Sequence, residues 1–184
     1  MRHISFYVLI VLFSFVNSHA QEFYYIPNYR VEIKVLKDGS LDITETIQAQ
    51  FTEPRHGLLV DKPLKYKVNT KTSGEWLDQF FPHELFIEDV RVDQHNFEVQ
   101  RMGTGIRIKI GDADKFVEGT QVYKIQYKIW NGLLHNNGKT ELYWNLIGDH
   151  WNTEIRKLEF KIEIPKGINL TSSCLLYTSD AADE

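Results

Sequence analysis

Apolar and polar residues alternate with period two along most of the chain. Tyr29, Val31, Ile33 and Val35 share one parity, with Arg30, Glu32 and Lys34 on the other. Successive side chains of a strand point to opposite faces, so the pattern predicts a half-buried strand. Asp38-Gly39-Ser40 follows, a turn signal because glycine enters positive φ at little cost. Leu41, Ile43, Ile47, Ala49 and Phe51 then resume on one parity and complete a β-hairpin.

Beyond Phe51 the pattern is punctuated by Pro54, Gly57, Pro63, Gly74 and Pro82. Short strands are predicted at Leu58–Val60 and Leu64–Val68, with a polar loop tip at Asn69–Gly74. Glu84–Val92 predicts a strand with a bulge near Asp89. A turn at Asp93–Asn96 leads into a second hairpin, Phe97–Arg101 with Ile106–Ile110. Tyr123, Ile125, Tyr127 and Ile129 alternate with Lys124, Gln126 and Lys128. After a mostly polar loop at Asn131–Lys139, Glu141–Ile147 is apolar on both faces and predicts a doubly covered strand. Leu158, Phe160, Ile162 and Ile164 alternate with Lys157, Glu159, Lys161 and Glu163, and Pro165 ends the run. No long stretch carries a helical period. Many short strands with turn signals predict an all-β fold: an antiparallel β-sandwich, immunoglobulin-like in the broad sense.

Both ends depart from this style. Residues 1–20 read as a signal peptide: Arg2 supplies the positive start, Ile4–Val16 is apolar but for Ser5 and Ser14, and Ser18-His19-Ala20 places small residues around a cleavage site. The apolar run is well short of the roughly 20 residues that cross a bilayer. Residues 174–184 back-translate to a string that resembles a transposase adapter used in sequencing libraries, read through in frame. The expected domain is therefore 21–173. Without the tail's three acids (Asp180, Asp183, Glu184) the net charge of −4 becomes −1, and −2 once Arg2 leaves with the signal. A nucleic-acid binder needs a basic excess, which is missing. The single cysteine, Cys174, lies in the tail, so residues 21–173 have neither a disulfide framework nor a cysteine nucleophile.

Several ordered segments carry a family resemblance. They are Asp38-Gly39-Ser40-Leu41 with Ile43-Thr44-Glu45-Thr46-Ile47, then His56-Gly57 with Pro63-Leu64-Lys65-Tyr66, then Ile106–Gly111, then Tyr123–Tyr127, Glu141–Gly148, Trp151 and Ile155. In this order they resemble the extracytoplasmic N-terminal domain of the YciQ-like predicted membrane proteins. The resemblance implies export, an outward-facing β-domain, closing strands beyond Pro165 and transmembrane helices further on. It implies no activity and transfers no catalytic residues. Where this chain has Val60, the family tends to have an arginine.

Three clusters are candidate sites. Glu45 lies on the buried parity between Ile43 and Ile47, and a buried carboxylate must pair or protonate. It is either a perturbed acid, or the structural partner of an arginine such as Arg91 or Arg107, or an edge position open to water. Trp144, Asn145, Asp149, His150 and Trp151 form a polar-aromatic group that could stack on a sugar and bind its hydroxyls, or form a tryptophan core plug and a turn. Asp112, Asp114 and Glu118 suggest a calcium loop without the full spacing, or a solvated turn. Asn169-Leu170-Thr171 has the form of a glycosylation acceptor, which is without meaning in a bacterial source. There is no zinc spacing, nucleophile elbow, P-loop or dinucleotide fingerprint, and no cofactor is expected. The expectation is a non-enzymatic binding or assembly module of a membrane-anchored bacterial envelope protein. Its partner would be an envelope protein or, alternatively, a glycan.

Overall fold

Asp38 fixes the first hairpin. Its Oδ1 accepts hydrogen bonds from the Ser40 backbone N–H (3.0 Å) and hydroxyl (2.6 Å), and Gly39 takes φ +84° between them. In the computed structural model, which describes residues 23–69, 80–136, 139–142, 144–148 and 151–167, this turn joins two long strands. They are β1 (Tyr24–Val35) and β2 (Leu41–Arg55). Next come β3 (Gly57–Pro63), β4 (Lys65–Asn69), β5 (Phe80–Glu84) and β6 (Phe86–Val92). They are followed by β7 (Phe97–Arg101), β8 (Gly105–Gly111) and β9 (Val117–Trp130), and then by β10 (Leu133–Asn136), β11 (Lys139–Leu142) and β12 (Leu158–Glu163).

The main sheet has the order β12-β1-β2-β9-β6, and a second sheet has the order β3-β8-β7. Two further hairpins, β4-β5 and β10-β11, complete the described architecture. One parity of β1, β2 and β9 forms the inner face of the main sheet: Tyr29, Val31 and Ile33; Leu41, Ile43, Ile47, Ala49 and Phe51; Tyr123, Ile125, Tyr127 and Ile129. Leu58 and Val60 of β3 and Ile106, Ile108 and Ile110 of β8 join them in one buried cluster, and none of these side chains is more than 4% exposed. Burying each such side chain contributes about 1.5–3 kcal/mol, so this shared core holds the two sheets together.

The chain passes from the main sheet to the second sheet at His56-Gly57. Gly57 stands opposite Gly111 in the β3–β8 register, with φ +138° and +133°. A Cβ on either would lie 1.9 Å from a carbonyl oxygen of the facing strand. The sheet switch therefore requires glycine at both positions.

The bulge near Asp89 and the hairpin of β7 and β8 appear where the pattern placed them: Asp89 has φ +53°, and the β6–β9 register shifts between Glu88 and Arg91. Three features differ from expectation. β12 pairs with β1 in parallel, from Tyr29 opposite Leu158 to Lys34 opposite Glu163, so the fold is not wholly antiparallel. Parallel neighbours need a long crossover, and β1 and β12 are separated in the chain by every strand from β2 to β11. Within the expected polar loop, Leu133–Asn136 pairs with Lys139–Leu142 as a small hairpin. Finally, the strand at Glu141 stops at Leu142, because Asn145 Oδ1 takes the Ile147 and Gly148 backbone N–H groups (3.3 and 3.1 Å) that a ladder would have used. The result is an all-β fold of several small sheets in contact.

Candidate functional site: a sealed cluster around Glu45

Glu45 occupies the middle of the main sheet, between Val31 on β1 and Ile125 on β9. It is fully buried. Register explains how its carboxylate is satisfied. Tyr29 pairs with Ile47 and Tyr127 pairs with Ile43, so each tyrosine is a diagonal neighbour of Glu45, one on either flank. Diagonal positions are about 7–8 Å apart, within reach of a long aromatic side chain. The Tyr29 hydroxyl donates to Glu45 Oε2 at 2.7 Å, and the Tyr127 hydroxyl donates to Oε1.

The cation comes from the second sheet. Leu58, Val60 and Lys62 share the inward parity of β3, and Lys62 is 1% exposed. Lys62 Nζ lies 2.5 Å from Glu45 Oε1 and donates to the Tyr29 hydroxyl at 3.2 Å. Neither charged side chain has any exposed surface. An arginine partner for Glu45 is thus corrected to a lysine. Arg107 instead makes two 2.7 Å hydrogen bonds to Asp61, its cross-strand neighbour on the outward parity, and Arg91 lies on edge strand β6.

Burial, reinforced by the Glu45 charge, holds the Tyr29 and Tyr127 phenols well above their ordinary value of 10.0. Both remain hydroxyl donors at any physiological pH. Burial also pushes the Tyr123 phenol up to about 12, and its buried hydroxyl has no hydrogen-bond partner among the described residues.

The irregular chain after β11 covers the cluster. Trp151 packs edge-on against Tyr29 with centroids 5.8 Å apart, and its Nε1 donates to the Ile147 carbonyl at 2.7 Å. Trp144 packs on Tyr127 at 6.0 Å, and its buried Nε1 has no hydrogen-bond partner among the described residues. Both indoles are half-buried, and Asn145 is occupied in the turn. Asp149 and His150 lie outside the described residues, as do Asn169, Cys174 and both chain ends. Gly148 has φ +79°, and a Cβ there would lie 2.2 Å from the Asp61 carbonyl oxygen of β3. We expect Gly148→Ala to destabilise the domain by about 2 kcal/mol or more, through strain and overpacking, as measured by thermal unfolding.

Asp112 Oδ1 accepts the Asp114 backbone N–H at 3.0 Å and closes a turn. Among the described residues no group of three candidate ligands could hold a metal, and no helix is long and apolar enough to cross a membrane.

Residues 25–183 match the family described as the N-terminal domain of predicted membrane proteins, DUF2207. The chain belongs to this family. The match runs through residues 174–183 and gives no support to a foreign tail there. The chain is also 28% identical over 172 residues to the uncharacterized protein YciQ of Escherichia coli K12, which covers 86% of this chain and 26% of that protein. It therefore spans about a quarter of its relative's length. Among solved structures, it is similar to Saccharomyces cerevisiae leukotriene A4 hydrolase, with a TM-score of 0.36 and 13% identity over 57% of this chain and 15% of that one. It is likewise similar to an M1 zinc metallopeptidase from Deinococcus radiodurans, with a TM-score of 0.34 and 8% identity over 59% of this chain and 20% of that one. Overlaps this loose carry no functional comparison.

Lys62, Tyr29 and Tyr127 were missed as members of the cluster. The signals were present: a lysine on the parity of Leu58 and Val60, and two tyrosines on the parity that flanks Glu45.

Proposed function

We propose that this domain of a predicted membrane protein is a non-enzymatic assembly module on the outer side of a bacterial membrane, and that it takes an additional strand at β12. One observation carries this reading. β12 forms an edge of the main sheet among the described residues, and its apolar parity is in register with the inner face of β1. Val31 and Ile33 are at most 1% exposed, yet their partners Phe160 and Ile162 are 46% and 41% exposed. The core face thus continues one strand beyond its cover. An unpaired edge with an apolar row is a template for a further strand. The occupant that fits is an extended segment with alternating apolar residues.

The sealed state of the Glu45 cluster also favours a non-enzymatic role, since no substrate reaches a carboxylate with no exposed surface. The glycan reading is weaker. A sugar stacks on an open aromatic face, whereas Trp144 and Trp151 are wedged against core tyrosines.

Sedimentation velocity tests the proposal. The wild-type chain should self-associate through the open face, and Ile162→Lys should remain monomeric with unchanged unfolding. A wild-type chain that stays monomeric at high concentration and unfolds cooperatively would rule out an uncovered assembly face.

A further inference from the structure

We propose that Lys62 and Glu45 condense into an intramolecular isopeptide bond, a covalent tie between the two sheets that goes beyond the assembly reading and does not depend on it. The reactants are held together before any chemistry occurs. Nζ lies 2.5 Å from Oε1, and both side chains are fully enclosed. They come from different sheets, β3 and β2, within one core. Fixing two groups in this way makes their reaction effectively unimolecular, and the enclosure excludes the water that would reverse it.

The surroundings supply the rest of the chemistry. Tyr29 and Tyr127 donate to the two carboxylate oxygens, which withdraws electron density from Cδ and stabilises charge as the carbon becomes tetrahedral. The Tyr29 hydroxyl accepts from Nζ at 3.2 Å while donating to Oε2 at 2.7 Å, so it lies on a path for protons from nitrogen to oxygen. One ammonium proton first passes by way of the Tyr29 hydroxyl to Oε2. The Nζ lone pair then forms the bond to Cδ. A second proton follows from nitrogen to Oε2, the Cδ–Oε2 bond breaks, and Oε2 leaves as water. Oε1 remains as the amide carbonyl, hydrogen-bonded by Tyr127. Three ammonium hydrogens become one amide hydrogen and two in water. Net charge stays zero, nothing is oxidised or reduced, and Tyr29 returns unchanged.

Two considerations make the product a sensible end point. A buried ion pair retains much of the cost of desolvating both charges, and an amide removes both charges without altering the packing around them. In addition, the described residues contain no cysteine, so no disulfide among them ties the two sheets together.

Denaturing intact-mass spectrometry of the purified full chain provides the test, followed by tryptic mapping. The expected result is a chain lighter by one water, with a branched peptide joining the segments around Glu45 and Lys62. Lys62→Arg should retain that water and give only linear peptides. A wild-type chain at its full sequence mass, with Glu45 and Lys62 recovered in separate linear peptides, would overturn the proposal. So would a water loss that persists in Lys62→Arg.

Discussion

Replacing Lys62 with methionine is expected to destabilise the domain by at least about 3–5 kcal/mol, the usual consequence of removing one partner from a buried charge pair and a lower limit where the pair has condensed to an amide. Methionine keeps much of the side chain's length and apolar stem, so the loss comes from electrostatics and bonding more than from a cavity. Glu45 would remain fully enclosed, with Tyr29 and Tyr127 still bonded to it but without the cation at 2.5 Å. With a urea m-value of about 2 kcal/mol/M, the midpoint should fall by about 2 M. Arg30→Met is the contrasting case. Its pair with Glu32 is about half-exposed on each side, and such pairs contribute about 0–1 kcal/mol. Similar losses in the two variants would mean that the buried pair does not hold the sheets together.

The second large effect appears at high pH. Tyr29 and Tyr127 are held above their ordinary 10.0 in the folded domain first by burial, which acts whether Glu45 is a carboxylate or an amide, and the carboxylate's charge adds to it. Below pH 10 the folded and unfolded states both retain these protons, and stability does not depend on them. Above pH 10 the unfolded chain releases them while the folded domain keeps them. The unfolded state then binds fewer protons, so stability falls as pH rises, until the folded-state values are reached. Two phenols give a slope of about 2.7 kcal/mol per pH unit, and Tyr123, raised to about 12, steepens it. The share of tyrosinate absorbance that is lost in Tyr29→Phe and in Tyr127→Phe should appear together with unfolding rather than before it. Tyr29→Phe should reduce the slope by the share of one phenol. A flat stability profile between pH 10 and 11 would contradict the sealed cluster.

Period-two alternation made β1, β2, β8 and β9 legible, because each has one wet face and one dry face that its residues must match. It also put Glu45 on the dry parity. The same pattern could not identify Glu45's partner, since Lys62 lies in the other sheet and sheet stacking leaves no local signature. Glu141–Ile147 misled because its double apolarity comes from Trp144, Leu146 and Ile147 packing on the core from an irregular segment. Asn145 hydrogen-bonds its own backbone there and breaks the strand. The alternation at Leu158–Ile164 did predict a strand. Its parallel pairing depends on where the crossover delivers the chain, which alternation does not encode. The tryptophan-rich group read more readily as a core plug than as a sugar platform, and its contacts with Tyr29 and Tyr127 join segments far apart in the chain, for which alternation gives no signal.

Cysteine accessibility in intact cells tests the central claim most directly. In a Cys174→Ser background of the full-length gene product, single cysteines would be placed at Ile162, on the apolar row, and at Gln100, on exposed strand β7. The cells would then be treated with a membrane-impermeant maleimide. Gln100→Cys should be labelled from outside, and Ile162→Cys should be protected until the domain is unfolded. Labelling of Ile162→Cys as fast as Gln100→Cys would show that nothing covers β12, and failure to label Gln100→Cys in intact cells would show that the domain does not face outward.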